Sequence, residues 1–159
     1  MAVQPVRFAS CPQMYLAGLR VHHDLGQAHR TIPAQWEAFR ANPPVPRPPG
    51  ADAFGVVCGH SATQLEYMCA FEVASLDGLP ATVGKMIVPA QHYAVFLHEG
   101  PAWKVGEAWS GILAWLSGGE YESAETPDFE VYAPDFKPGA SESRVEIWVG
   151  VRPRAGRRP

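Results

Sequence analysis

The stretch Arg144-Val145-Glu146-Ile147-Trp148-Val149-Gly150-Val151 sets a carboxylate inside an otherwise apolar run of strand-forming residues. A strand alternates its side chains, so Val145, Ile147, Val149 and Val151 share one face, while Glu146, Trp148 and Gly150 share the other. The valine face belongs in a core. The second face either meets water or lines a pocket, and in an apolar pocket an ionised carboxylate is costly unless paired. Glu146 would then seek a cationic ligand, take up a proton or act as a base. Each option is small-molecule chemistry.

Around this strand, composition narrows the possibilities. At 159 residues, 47% hydrophobic and 18% charged, the chain can bury one domain or two small modules sharing a core. A formal charge of -3 speaks against a nucleic-acid partner, since affinity for phosphate backbones comes from clustered Lys and Arg. Only the stretch 152–159 is basic, and it reads as a solvated, disordered tail. No run approaches the ~20 apolar residues of a membrane span, and the start of the chain lacks a basic region followed by an apolar core. A cytoplasmic protein without membrane attachment is expected. Cys11, Cys58 and Cys69 are odd in number and lack CxxC spacing, so reduced, buried thiols are expected. The six histidines include no HxxxH pair, so neither a metal site nor a cofactor is expected.

The same order of elements is legible twice. Strand signals at 3–10 and 15–22 precede a helix in which Ile32, Trp36 and Phe39 form an apolar stripe, with Thr31 as N-cap and Pro33 near the first turn. A proline-rich loop at 42–51 leads to strands at 54–58 and 66–74. After Leu76-Asp77-Gly78-Leu79-Pro80, strands at 85–88 and 93–98 read as a hairpin around Pro89-Ala90. Val105, Ala108, Trp109, Ile112 and Leu116 then form a second helical stripe, stopped by Gly118-Gly119. Strands at 128–132 and 143–151 complete the repeat. The chain is thus expected to be α+β, a tandem pair of βαββ modules at about 6–80 and 81–151 in one domain. A cleft between such twins is a common place for a small molecule.

Several segments carry a family resemblance: Ile32-Pro33-Ala34-Gln35-Trp36, Phe54-Gly55-Val56, Tyr67-Met68-Cys69-Ala70-Phe71-Glu72-Val73, Val88-Pro89-Ala90-Gln91-His92-Tyr93-Ala94-Val95-Phe96 and Glu146-Ile147-Trp148-Val149. Together they resemble the GyrI-like small-molecule-binding superfamily, which includes the effector-binding domains of AraC-type and MerR-type multidrug regulators. The resemblance runs from about Val6 to Val151. It implies SHS2-like βαββ modules about a pseudo-two-fold, an aromatic-walled central cleft and a glutamate on the last strand, which by position is Glu146. Gln35 stands where many relatives have Leu, and Gln91-His92 where many have Gly-Arg. With the module filling the chain, a free-standing form without a fused DNA-binding domain is expected.

The candidate ligand-binding residues are Glu146, Trp148, Tyr67, Trp36, Trp109, Tyr93, Phe54 and Phe71. Tyr67 reads equally as cleft wall or core, and Trp36 and Trp109 belong to helical stripes that serve either role. Two functions compete. In a binding protein, aromatic faces and the carboxylate would hold a flat, lipophilic cation. In a hydrolase of cyclopropanoid genotoxins, as the resemblance also implies, Glu146 would be the general base and Tyr67 would polarise the leaving phenolate. Binding is the favoured expectation. A protein inhibitor of the gyrase-directed type is a weaker one. The expected partner is a small molecule, with a second copy of the chain as a candidate for a homodimer.

Overall fold

The computed structural model describes residues 3–155. In chain order the elements are β1 (Arg7–Cys11), β2 (Met14–Asp24), α1 (Ala28–Ala41), β3 (Ala53–His60), β4 (Gln64–Val73), β5 (Gly84–Val88) and β6 (Gln91–Glu99). A single 3-10 turn (Ala102–Lys104) leads into α2 (Val105–Gly118), followed by β7 (Tyr121–Ser123), β8 (Asp128–Tyr132) and β9 (Arg144–Pro153). All the strand pairs are antiparallel, in the order β1-β6-β9-β8-β3-β4-β2-β5, with β7 added on the end of β9. This is an α+β fold, and the order reads alike from both ends. Each helix-bearing unit contributes three strands, and β3 of the first meets β8 of the second in the middle.

The expected hairpin of β5 and β6 does not form. β5 pairs with β2 and β6 with β1 and β9, so the strand preceding each unit is handed to the edge of the other. The Pro89-Ala90 link explains this locally. Tight hairpin turns need positive φ at a central position, and neither residue has it. The exchange also shapes the sheet. Val88 and Gln91 are three residues apart, hence within about 11 Å, although their strands stand near opposite ends of the strand order. Such a sheet must coil strongly. Its helix-free face therefore closes on itself, around Leu16, Val56, Met68, Tyr93, Val95 and Phe129.

The other face carries the helices. Tyr67, Cys69 and Phe71 of β4 turn towards α1 and Phe39, whereas Val145, Ile147, Val149 and Val151 of β9 pack under α2 with Ile112. The period-two reading of β9 thus holds, and so do both helical stripes. α1 begins at Ala28, three residues before the expected cap. Thr31 lies inside the helix, where its hydroxyl donates to the carbonyl of Gln27 four residues back. Pro33 accordingly stands in the second turn. The boundary expected at Val151 also moves: Arg152 and Pro153 continue β9 beside β7, and Arg154 donates to the carbonyls of Gly119 and Tyr121. The remainder of the expected tail, 156–159, lies outside the described residues. Cys69 is buried, but Cys11 and Cys58 are only half-buried, and all three are free thiols.

Candidate functional site

β8 reads Asp128-Phe129-Glu130-Val131-Tyr132, and its alternation sends Phe129 and Val131 into the coiled interior. Glu130 and Tyr132 therefore point to the helix face, at the middle of the sheet. Glu130 is 5% exposed. Its Oε1 accepts from the Tyr67 hydroxyl at 2.6 Å and the Tyr132 hydroxyl at 2.8 Å, and its Oε2 accepts from Nε1 of Trp109 on α2 at 2.8 Å. Nε1 of Trp36 on α1 donates in turn to the Tyr67 hydroxyl, at 3.2 Å. Both helices and the strands β4 and β8 thus converge on one carboxylate. The Trp36 ring meets Tyr132 and Tyr67 edge-on, with centroids 5.1 and 6.4 Å apart.

Burial raises the proton affinity of the Glu130 carboxyl, and the donated bonds from Tyr67, Trp109 and Tyr132 act against it. The Tyr67 and Tyr132 hydroxyls are pushed well above the ordinary tyrosine range, first by burial and then by the neighbouring carboxylate, so both remain donors. Among the described residues no Lys or Arg forms an ion pair with Glu130. Three neutral donors orient the charge, yet none neutralises it. When ionised, the carboxylate is a buried anion with no ion-paired Lys or Arg among the described residues, a state that favours either a proton or a cation brought from outside.

Of the candidates named from sequence, Tyr67, Trp36 and Trp109 meet here. Glu146 does not. It is next to Glu130 in register, facing Val131, but projects to the opposite side of the sheet. Arg7 of β1 grips it with two bonds of 2.7 and 3.0 Å, and Trp148 donates to it at 3.2 Å. A third of its side chain remains exposed, and Arg7 holds its carboxyl below the ordinary range, the reverse of the expected base. The physical reason is long-range: an arginine 139 residues away supplies the missing counterion. Trp148, Tyr93 and Phe54 face the coiled core around Phe129, whose ring stacks on Trp148 at 5.7 Å. Phe71 packs on Phe39 under α1, at 4.9 Å. Glu130 and Tyr132 were missed, although the alternation argument made for β9 singles them out when applied to β8.

Grooves elsewhere are separate from this centre. One of about 640 Å3 runs between β2 and α1, over His23, Thr31 and Gln35. Another of about 360 Å3 lies between β6 and α2, beside His98, Lys104 and Glu107. Neither is lined by Glu130. Trp36 and Trp109, whose indoles lie beside the carboxylate and the Tyr67 hydroxyl, are half-buried.

A coiled antiparallel sheet bearing two helices, with a buried acid ringed by aromatic donors where they meet, defines a GyrI-like module of the effector-binding type. The chain belongs to the Cass2 family of integron-associated effector binding proteins, which it matches over residues 7–151. It is 29% identical over 101 residues to the transcriptional regulator BrlR of Pseudomonas aeruginosa, covering 62% of this chain but 37% of that protein's length. Among solved structures it resembles SAV2435 bound to tetraphenylphosphonium, with a TM-score of 0.74 at 18% identity, over 92% of this chain and 93% of that one. It also resembles the integron cassette protein VCH_CASS2 of Vibrio cholerae, with a TM-score of 0.71 at 19% identity, over 95% and 98% of the two chains. At these identities the structural likeness establishes the fold. No helix among the described residues is long and apolar enough to cross a membrane.

Proposed function

We propose that this protein is a receptor for lipophilic organic cations and that Glu130 is the charge that receives them. The observation carrying this reading is a buried carboxylate held by three neutral donors with no ion-paired Lys or Arg among the described residues. A ligand cation would supply the counterion, and the faces of Trp36, Trp109, Tyr67 and Tyr132 would add cation-π contacts of ~0.5 to 2 kcal/mol each. That SAV2435 has been seen with tetraphenylphosphonium makes this ion the natural probe. Titrating the tryptophan fluorescence with tetraphenylphosphonium should give saturable quenching, and neutral triphenylphosphine oxide should bind far more weakly. Glu130→Gln should lower affinity for the cation by about 30-fold or more, the cost of removing one member of a buried charge pair. Equal affinity in the Gln variant would refute the role of the carboxylate.

A second reading uses the same group. Because burial raises its proton affinity, Glu130 is suited to act as a general base beside the Tyr67 hydroxyl. Incubation with a cyclopropanoid such as duocarmycin should then yield the water adduct, and no conversion above that in buffer alone removes the hydrolase.

A further inference from the structure

Tyr67 stands on β4 and Glu130 on β8, with β3 between them. The two outer strands are separated by about 10 Å at the usual strand spacing, so a tyrosine on one reaches a carboxylate on the other only by laying its ring across the middle strand. Gly55 is the residue beneath that crossing, paired with Glu130 on one side and with Cys69 on the other. A Cβ placed on Gly55 would stand 2.7 Å from Oε1 of Glu130 and 2.8 Å from Cζ of Tyr67, and nearer still to the Tyr67 hydroxyl. The backbone itself makes no demand for glycine here, because Gly55 is absent from the positive-φ positions. Only the space does. Gly18 offers a contrast: its nearest neighbours are backbone atoms of Cys69 and Ala70, so it serves strand pairing, whereas those of Gly55 are functional groups of the site.

We propose that Gly55 is a positioning residue for this carboxylate: its missing side chain lets the Tyr67 hydroxyl reach Glu130 and thereby sets the number and direction of donors that a ligand meets. The cation-binding consequence rests on the function proposed above; the positioning itself does not. With a methyl group at position 55 the rigid phenol is displaced and the flexible end of Glu130, otherwise 2.7 Å from the new Cβ, gives way, so that Glu130 keeps only Tyr132 and Trp109. Fewer donors leave the charged form less supported, so the carboxyl holds its proton to higher pH. The titratable groups acting on Glu130 are Tyr67 and Cys69 from β4, Tyr132 from β8 and His98 from β6, while α2 contributes the neutral Trp109 and α1 acts through Trp36 on Tyr67.

The test compares wild type, Gly55→Ala, Tyr67→Phe and the double variant. The infrared band of the protonated carboxyl, assigned by its loss in Glu130→Gln, reports the titration midpoint of Glu130 in each. Gly55→Ala and Tyr67→Phe should each raise the midpoint, by about one pH unit or more, the value of one hydrogen bond to a charged group. The double variant should go no further. A midpoint unchanged in Gly55→Ala, or shifts that add in the double variant, would overturn the proposal. If Gly55→Ala alone does not fold, Gly55→Ala combined with Tyr67→Leu should, because the smaller side chain vacates the space; failure of that pair to fold also overturns it. Tetraphenylphosphonium is titrated in parallel. If wild type does not bind it, the cation reading fails, while the midpoints still decide the role of Gly55.

Discussion

Glu130 and Glu146 are neighbours across β8 and β9, a single residue apart in register, yet they inhabit opposite electrostatic worlds. Glu146 is partly exposed and neutralised by Arg7, whose guanidinium also lies 5.4 Å over the Trp148 ring. Glu130 is buried, held only by phenols and an indole. One carboxylate already has its arginine, and the other has no ion-paired Lys or Arg among the described residues. On the function proposed above, an acid beside aromatic residues can receive a cation only where the fold leaves it without an ion-paired Lys or Arg.

The sharpest way to break this comparison is to exchange the roles. Glu130→Gln should cost tetraphenylphosphonium affinity by about 30-fold or more, whereas Glu146→Gln should leave it within about twofold, since an Arg-paired group on the far face has little to offer a ligand. Equal losses from the two, measured by fluorescence titration, would abolish the distinction.

Stability against pH separates the faces next. Asp128, at the start of β8, is pushed up to about 7 by burial, against an ordinary value of 3.8. The folded chain then keeps a proton that the unfolded chain releases, so stability falls as pH rises from about 4 to 7, by on the order of 4 kcal/mol. Asp128→Asn should flatten that slope in urea unfolding at successive pH values, because the amide oxygen can still accept from the backbone N–H of Gly150. Glu130 acts in the same direction, since its carboxyl is also raised. Glu146 acts in the opposite one. Its lowered carboxyl stabilises at neutral pH, and that contribution disappears as pH falls below the ordinary carboxylate range.

Two smaller effects refine the picture. Trp109→Phe keeps much of the ring but removes the donor to Oε2 of Glu130, and should cost about 1.5 to 3 kcal/mol of stability at pH values where that acid is ionised. The loss should shrink at acid pH, as the acceptor becomes neutral. Glu146→Gln should cost about 1 kcal/mol or less, and less again in high salt. A larger loss there would mean that the Arg7 pair ties β1 to β9 more firmly than an exposed ion pair can.

Much of the architecture was legible because it rests on local periodicity. The valine face of β9, the stripes of α1 and α2 and the repeated order of elements all follow from side-chain spacing, and the family segments agree with them. Pairing was less legible. Pro89-Ala90 looks like a hairpin link by its length, but the partner of each flanking strand is chosen by burial across the whole sheet. The grouping was half visible: the candidates Tyr67, Trp36 and Trp109 do come together, but around Glu130, while Glu146 lies on the other face of the sheet. β8 and β9 carry the same alternating pattern, and a pattern of period two assigns residues to two faces without saying which face receives the helices.

By itself, then, the order of residues determined which side chains travel together: Val145 with Ile147 and Val149, Glu146 with Trp148, Glu130 with Tyr132. Local geometry suffices for that, because neighbouring side chains in a strand must diverge. Only the tertiary structure decided that Arg7 would meet Glu146, that Gly55 would leave room for the Tyr67 ring, and that two helices would bury Glu130. Those outcomes depend on packing between segments far apart in the chain, where charge compensation and excluded volume act through distance in space.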